Sequence, residues 1–284
     1  NNSNGLFSGN ASSPTEFQLW IGGQMVCTLD SLFIQGVHNP LLRDNAAKAS
    51  STVTTNTQKT NHGGNHYMIP FFFGEDWTKS LPLVALQYHE VEVRIKCRDG
   101  YTPDGTPKVY GNYIYLDTDE RKFFTENDHE ILFTQTQYQP ATNTDTDVDL
   151  SYFNHPVKSL HLVSGNATSS NWDSEFTFTK SSLYINGVAL FEDTSPVYHH
   201  NVVPEMHSTD LPDDVLLDLP TFTWPFCLNL SKMQPSGTLN FSRIDNAKLS
   251  IVGPTGGNAL HRVYAVNYNI LRIKNGMAGV AFGN

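Results

Sequence analysis

The chain has 284 residues, of which 39% are hydrophobic, 12% aromatic and only 16% charged, with a formal net charge of −10 at pH 7. That length accommodates one or two domains with real cores, and few charges with many aromatics favour strands and buried interfaces over solvated helices. The acidic balance argues against a dedicated nucleic-acid surface.

The Asn/Ser/Gly-rich start, residues 1–14, reads as a loop, and it is neither a signal peptide nor begun by Met. Glu16–Met25 alternates and meets Gly22-Gly23, which predicts a strand and a tight turn. Asp30–Arg43 fits either a short helix or a strand. Ala46–Gly64 is polar and reads as a long surface loop. His66–Phe73 is predicted as a buried strand, and Leu83–Cys97 as a long one with Val91, Val93 and Ile95 on one face. After a hairpin loop at Asp99–Lys108, Val109–Leu116 is predicted as a strand and Thr118–Phe124 as a helical turn. Ile131–Tyr138 is strand-like, and Gln139–Asp147 looks like a linker. Asp149–Phe153, Val157–Val163 and Glu175–Tyr184 are strand candidates, and Val188–Asp218 is acidic and irregular. Leu219–Leu230, Gly237–Phe241, Lys248–Val252 and Leu260–Ile273 complete the strands. Short strands between turn signals, with no long amphipathic helix, read as an all-β sandwich or barrel.

The chain also repeats itself. Leu19-Trp20-Ile21-Gly22-Gly23 returns as Leu183-Tyr184-Ile185-Asn186-Gly187, and Ile69-Pro70-Phe71 as Trp224-Pro225-Phe226. Val91–Ile95 returns as Ala247–Ile251, and Tyr113-Ile114-Tyr115-Leu116 as Tyr268-Asn269-Ile270-Leu271. Four echoes in one order, at offsets of 155 to 164 residues, predict an internal duplication. The expected units are residues 1–138 and 139–284. Counterparts of the stretch Ile131–Lys180 would have to precede Leu19, so the first unit is expected to lack its opening strands and the chain to be N-terminally truncated.

Chemical motifs are sparse. Cys27, Cys97 and Cys227 are an odd, widely spaced set with neither a disulfide framework nor zinc-ligand spacing. His62 and His66 flank Gly63-Gly64 in a loop and read as solvated, and His199-His200 are adjacent, a poor chelate on a strand. Asp117, Asp119 and Glu120 favour a strand-end turn paired to Arg121 and Lys122 over a calcium or acid–base site. Asp145, Asp147 and Asp149 read as linker. Gly253-Pro254-Thr255-Gly256-Gly257 lacks the Lys-Ser/Thr of a phosphate loop and reads as a turn. Sequons fall at Asn1, Asn10, Asn166, Asn229 and Asn240, of which Asn10 and Asn166 are retained as glycosylation candidates. Residues 145–218 carry twelve acidic and two basic side chains, whereas 219–284 carry six basic and one acidic. Solvated loops and strand faces account for this split. So does charge complementarity between neighbouring copies, with Arg262 and Arg272 as candidate inter-subunit contacts.

Several segments are more specific. They are Ile69-Pro70-Phe71-Phe72-Phe73 followed by Leu81–Val91, Tyr115-Leu116-Asp117-Thr118 with Glu120-Arg121, and Phe153-Asn154-His155-Pro156-Val157-Lys158. Gln234-Pro235-Ser236-Gly237, Asn240–Ala247 and Tyr264–Ile273 with Gly276-Met277-Ala278-Gly279 follow. From about Phe17 to the C-terminus these resemble the major capsid proteins of nucleocytoplasmic large double-stranded DNA viruses, phycodnavirus type. Gly22-Gly23-Gln24 also matches, while Met25-Val26 departs from the basic and polar residues usual there.

The resemblance implies an all-β fold of two tandem jelly rolls, with homotrimers forming pseudo-hexagonal capsomers of an icosahedral shell. It implies a structural protein, not an enzyme, without cofactor or metal. Expected partners are further copies of the chain and minor capsid proteins, without direct nucleic-acid contact; an internal viral membrane lies nearby, though no apolar run reaches transmembrane length. The expected location is the outer capsid of the virion, assembled in the host cytoplasm. Two rivals remain at this stage: a carbohydrate-binding jelly-roll module, and a cupin-type metal enzyme needing two His and a carboxylate inside a barrel.

Overall fold

The computed structural model describes residues 13–43, 68–101, 108–142, 144–165, 177–208, 221–255 and 260–283. The first strands form a hairpin. β1 (Glu16–Ile21) pairs antiparallel with β2 (Gln24–Asp30) and, on its other side, with β3 (Val91–Lys96), in the order β2-β1-β3. β1 alternates buried and half-buried residues, sending Phe17, Leu19 and Ile21 into a core.

The second half repeats this arrangement. After β4 (His129–Thr142), β5 (Asp147–Asp149) and β6 (Pro156–Gly165), β7 (Lys180–Ile185) makes a hairpin with β8 (Val188–Thr194). β9 (Thr221–Pro225) and β10 (Leu239–Asn240) precede β11 (Ala247–Val252), and the sheet order is β5-β11-β7-β8. The echoes in sequence are echoes in register. Ile21 lies opposite Val91 and Leu19 opposite Val93; their counterparts Ile185 and Leu183 lie opposite Ala247 and Leu249. Both hairpins turn on two residues with positive φ, Gly22 (57°) and Gly23 (78°) in one, Asn186 (48°) and Gly187 (82°) in the other. Such turns match the right-handed twist of the strands they join.

A six-stranded sheet joins the two halves. β12 (Leu260–Lys274) is flanked along its length by β4 on one side, and by β6 and then β13 (Met277–Val280) on the other, while β6 also pairs with β9 and β10. Tyr264, Val266, Leu271 and Ile273 of β12 join the first core, around Phe17, Leu19, Phe33 and Phe133. Val263 and Ala265 of the same strand join the second, around Leu160, Leu183, Phe222 and Trp224. β4 serves both cores too, through Phe133 and Ala141, and the expected division between residues 138 and 139 falls within this strand.

Several local expectations are corrected. At Asp30–Arg43 the helical alternative holds, as one turn at Ser31–Phe33 and a π-helical run at Ile34–Leu42, and almost every residue in it is buried. A segment buried all round has no amphipathic period to read. In the segment expected as a strand at His66–Phe73, residues 68–71 are unpaired, Phe72–Glu75 form a helical turn, and His66 and Tyr67 lie outside the described residues. Within Leu83–Cys97 only Val91–Lys96 pairs, because Leu83–Ala85 form a 3-10 turn. Val109–Leu116 has no regular secondary structure and is in no sheet. The expected linker at Gln139–Asp147 begins as the end of β4. Val188–Asp218 opens with β8 and continues as helical turns at Tyr198–Val202 and Val203–His207. Among the described residues, no helix is long and apolar enough to cross a membrane.

The Gly22 turn yields a direct test. A Cβ there would lie 2.3 Å from Nδ1 of His89, whereas one at Gly23 would meet nothing within 4 Å. Both positions tax an L-residue by about 1 kcal/mol or more for φ alone. Gly22→Ala is therefore expected to lower the melting temperature clearly more than Gly23→Ala, as read by scanning calorimetry of the two variants.

Candidate functional site

The described residues contain no group of three or more His, Cys, Asp or Glu able to hold a metal ion. The polar chemistry lies in the seam between the two cores. Asp30 ends β2, N-caps the following helical turn through Phe33 N (2.7 Å), and accepts Nη1 of Arg262 (3.0 Å) and the hydroxyl of Tyr264 (2.8 Å). Both charged side chains are 5% exposed. The Arg262 guanidinium also stacks over the Tyr138 ring, 4.1 Å from its centroid. Burial pushes the Asp30 carboxyl above its ordinary value, against the pull of Arg262 and of the Phe33 and Tyr264 donors.

Beside this cluster, β4 caps the outer edge of β2. Gln135 donates its amide to the carbonyl of Val26, and Thr136 donates its hydroxyl to that of Thr28 (2.6 Å). Asn269 in turn donates to Oε1 of Gln135 at 2.9 Å. A cavity of about 40 Å³ lies in the same seam, between Cys27, Glu75, Thr134, Lys158 and Ser231 among others. Lys158 spends its buried ammonium on the carbonyls of Leu230 and Lys232, and burial lowers its pKa.

The second half closes another edge with imidazoles. Nδ1 of His200, His199 and His207 lies 2.9 Å from the carbonyl oxygens of Thr221, Thr223 and Cys227, respectively. A carbonyl only accepts, so each Nδ1 carries the proton. His199 stacks on Trp224, with centroids 4.5 Å apart, and its Nε2 faces the Thr194 hydroxyl. His161 bridges Ser159 and the Thr223 hydroxyl. Burial drives His161 down to about 3, aided by the charge of Lys158, and His199 and His261 down to about 4.

The residues singled out from sequence are dispersed. Arg262 is buried and committed to Asp30 of its own chain, while Arg272 stays at the surface, 2.9 Å from Glu130. Lys248 and Lys274 of the same basic stretch pair with Asp147 and Asp128. Asn10, Asn166, His62 and His66 lie outside the described residues. Asn229 accepts from Ser231 and Lys232, and Asn240 caps Ser242, so both amides are engaged locally. Asp117 and Glu120 form the capping box of the Thr118–Glu126 helix rather than a strand-end turn. Asp147 and Asp149 lie in β5, and His199-His200 are on a helical turn. Sequence reasoning missed Asp30, Gln135, Tyr264 and His161. Only Asp30 carried a signal, as an Asp-Ser pair at the end of an alternating run, where a helix cap would sit.

The family described as "Large eukaryotic DNA virus major capsid protein" matches residues 120–279, and "Major capsid protein N-terminus" matches residues 14–117. The major capsid protein of Pyramimonas orientalis virus is 34% identical over 84% of this chain and 66% of its own length. That of Paramecium bursaria Chlorella virus 1 is 28% identical over 75% and 65%. The chain thus spans just under two thirds of these curated relatives. Among solved structures, the PBCV-1 virus capsid superposes with a TM-score of 0.76 at 24% identity, covering 96% of this chain and 84% of that one. The chain has the all-β double jelly-roll fold expected from its sequence.

Two tests probe the buried charges. Asp30→Asn keeps the cap but leaves the Arg262 cation without a counter-charge, and is expected to cost about 3–5 kcal/mol in urea unfolding. Adding Arg262→Met should recover most of that loss, because the two substitutions share one interaction. His161, His199 and His261 set an acid limit. Their pKa values are depressed in the fold, so the unfolded chain binds more protons; stability is whole above pH 6.5 and is lost as pH falls towards 4. At pH 5 the loss is about 2 kcal/mol per buried imidazole. Asp30, with its raised pKa, works in the opposite sense. His199→Gln should therefore flatten the stability profile between pH 7 and 5, and an unchanged slope would contradict this account.

Proposed function

Because the chain belongs to the large eukaryotic DNA virus major capsid protein family, we propose that it is a structural subunit of an icosahedral virus shell. In this reading it is not an enzyme. It assembles as a homotrimer, in which three chains of two like units make six near-equivalent positions. The observation that carries the reading is the residue-for-residue repetition of the β1–β3 pairing in β7–β11. A shell needs rigid walls and repeated edges, which two-sheet sandwiches with loops gathered at their ends supply.

The units taken as 1–138 and 139–284 are the two positions that one chain contributes. Neighbouring copies and minor capsid proteins are the partners, without direct contact to nucleic acid. The virion's outer capsid is the location, with assembly in the host cytoplasm and an internal membrane beneath. In this reading Arg272, exposed beside Glu130 of its own chain, is the arginine that would reach a neighbour's carboxylate, since Arg262 serves the interior.

Native mass spectrometry of the purified chain tests the assembly. A trimer is expected at neutral pH, and a mass that stays monomeric at high concentration would sink the capsomer reading. Charge contacts between copies would appear as trimer dissociation that grows with salt and with Arg272→Glu.

A further inference from the structure

Three Asn-Gly pairs occur in the chain: Asn4-Gly5, Asn186-Gly187 and Asn275-Gly276. The last two form the tips of two-residue hairpins, where positive φ at both positions calls for these residues. Asn275 (52°) and Gly276 (77°) join β12 to β13, with Lys274 opposite Met277. Asn186 and Gly187 join β7 to β8 in the same way, and both asparagines are exposed. The turns share a sequence and a backbone shape, and they differ in what holds the asparagine. Oδ1 of Asn186 accepts the backbone amides of Asp245 (3.2 Å) and Asn246 (3.1 Å). The Asn275 side chain has no hydrogen-bond partner among the described residues.

The β12–β13 turn is also a contact with the first half of the chain. The carbonyl of Gly276 accepts the Tyr88 amide at 3.0 Å. A Cβ at Gly276 would lie 2.6 Å from Cδ2 of Tyr88 and 3.2 Å from Cβ of Gln87, so the two segments meet with no room for a side chain. Ala278, two residues on, places its amide 3.1 Å from Nδ1 of His89 and buries its methyl group in the first core. A change in the length of this turn would therefore reach the Gln87–His89 segment directly.

We propose that Asn275 is a site of spontaneous covalent modification, losing its side-chain amide through a succinimide formed with Gly276. The Gly276 nitrogen attacks Cγ of Asn275; the N–Cγ bond forms, the nitrogen gives up its proton, and the side-chain nitrogen departs as ammonia. Water then adds to one of the two imide carbonyls and opens the ring. Opening one way leaves aspartate on the normal backbone. Opening the other way leaves isoaspartate, whose main chain is longer by a methylene. Nothing is oxidised or reduced, and water is the co-reactant. Glycine favours the attack because no side chain shields its nitrogen, and asparagine is among the thermolabile residues. Asn186 must first leave two amide donors, which slows the same reaction there by about tenfold. The two products differ in consequence. Aspartate keeps the turn and adds a carboxylate beside Lys274. Isoaspartate lengthens a turn that has no slack against Tyr88, and so parts it from the Gln87–His89 segment.

The test incubates the full 284-residue chain in mildly alkaline buffer and maps its peptides by mass spectrometry, where each conversion adds about one dalton. Asn4-Gly5, the same dipeptide outside the described residues, is the internal clock. Asn275 is expected to convert at least about tenfold faster than Asn186. An isoaspartyl methyltransferase should label the peptide that carries position 275. Hydrogen exchange at the Tyr88 amide should quicken in the aged chain. It should keep its starting rate in aged Asn275→Gly, which preserves the positive φ and removes the amide. It should also keep that rate in fresh Asn275→Asp, which has the charge without the longer backbone. Conversion at Asn186 as fast as at Asn275, or Asn275 intact once Asn4 has converted, would overturn the site. Unchanged Tyr88 exchange in chains labelled by the methyltransferase would overturn its effect on the contact.

Discussion

The arrangement of the two units depends on a buried ion pair. Asp30 and Arg262 are separated by more than half of the sequence, and both are withdrawn from water. Desolvating two charges costs several kcal/mol each, and an ion pair offsets this only when its geometry is good and the remaining lone pairs are used. Here they are. The carboxylate also takes the Tyr264 hydroxyl and the Phe33 amide, and the guanidinium lies on the Tyr138 ring. The cluster fixes where β12 lies against the end of β2. A slip of one residue along β12 would turn Arg262 and Tyr264 to the other face and leave Asp30 charged and alone. Since β12 supplies side chains to both cores, that single register relates one half of the molecule to the other.

Much of this was legible in the residues, and for a definable reason. A two-residue turn with positive φ at both positions demands Gly or Asn, so Gly22-Gly23 and Asn186-Gly187 mark hairpins locally. The alternation in Leu19–Ile21 and Leu183–Ile185 declares which side chains point inward. The duplication was readable because both halves solve the same packing problem with the same pairs in the same register. What escaped was set by distant partners. The π-helical run at Ile34–Leu42 is buried on every side and so carries no period. Val109–Leu116 has the composition of a strand, but a strand exists only where a neighbour pairs with it. Gln135, His161 and His199 looked like ordinary polar residues, because their partners are carbonyls and hydroxyls far along the chain. The echo at Tyr113–Leu116 is thus matched by no paired strand in the first half.

Edges explain how these pieces combine. A sandwich that leaves strand edges bare invites indiscriminate pairing, and this chain deals with each edge differently. The β2 edge is closed from within by Gln135 and Thr136. The β9 side takes three imidazole donors from the segment Tyr198–His207, which satisfies its carbonyls without offering a template for another strand. Imidazole suits that task, since it is a donor on one face and, on the other, a ring that packs against Trp224 and Phe222. At His199 the cost is sensitivity to acid, because that buried ring must stay neutral.

Among the described residues, the β8 edge received neither treatment. Its side chains alternate so that Val188 and Leu190 face outward, and its bulge repeats the one that β2 buries. A monomer under selection for solubility would place charge or proline at such a position. An assembling protein has the opposite requirement: it must close every edge that would pair wrongly and leave open the one that pairs correctly.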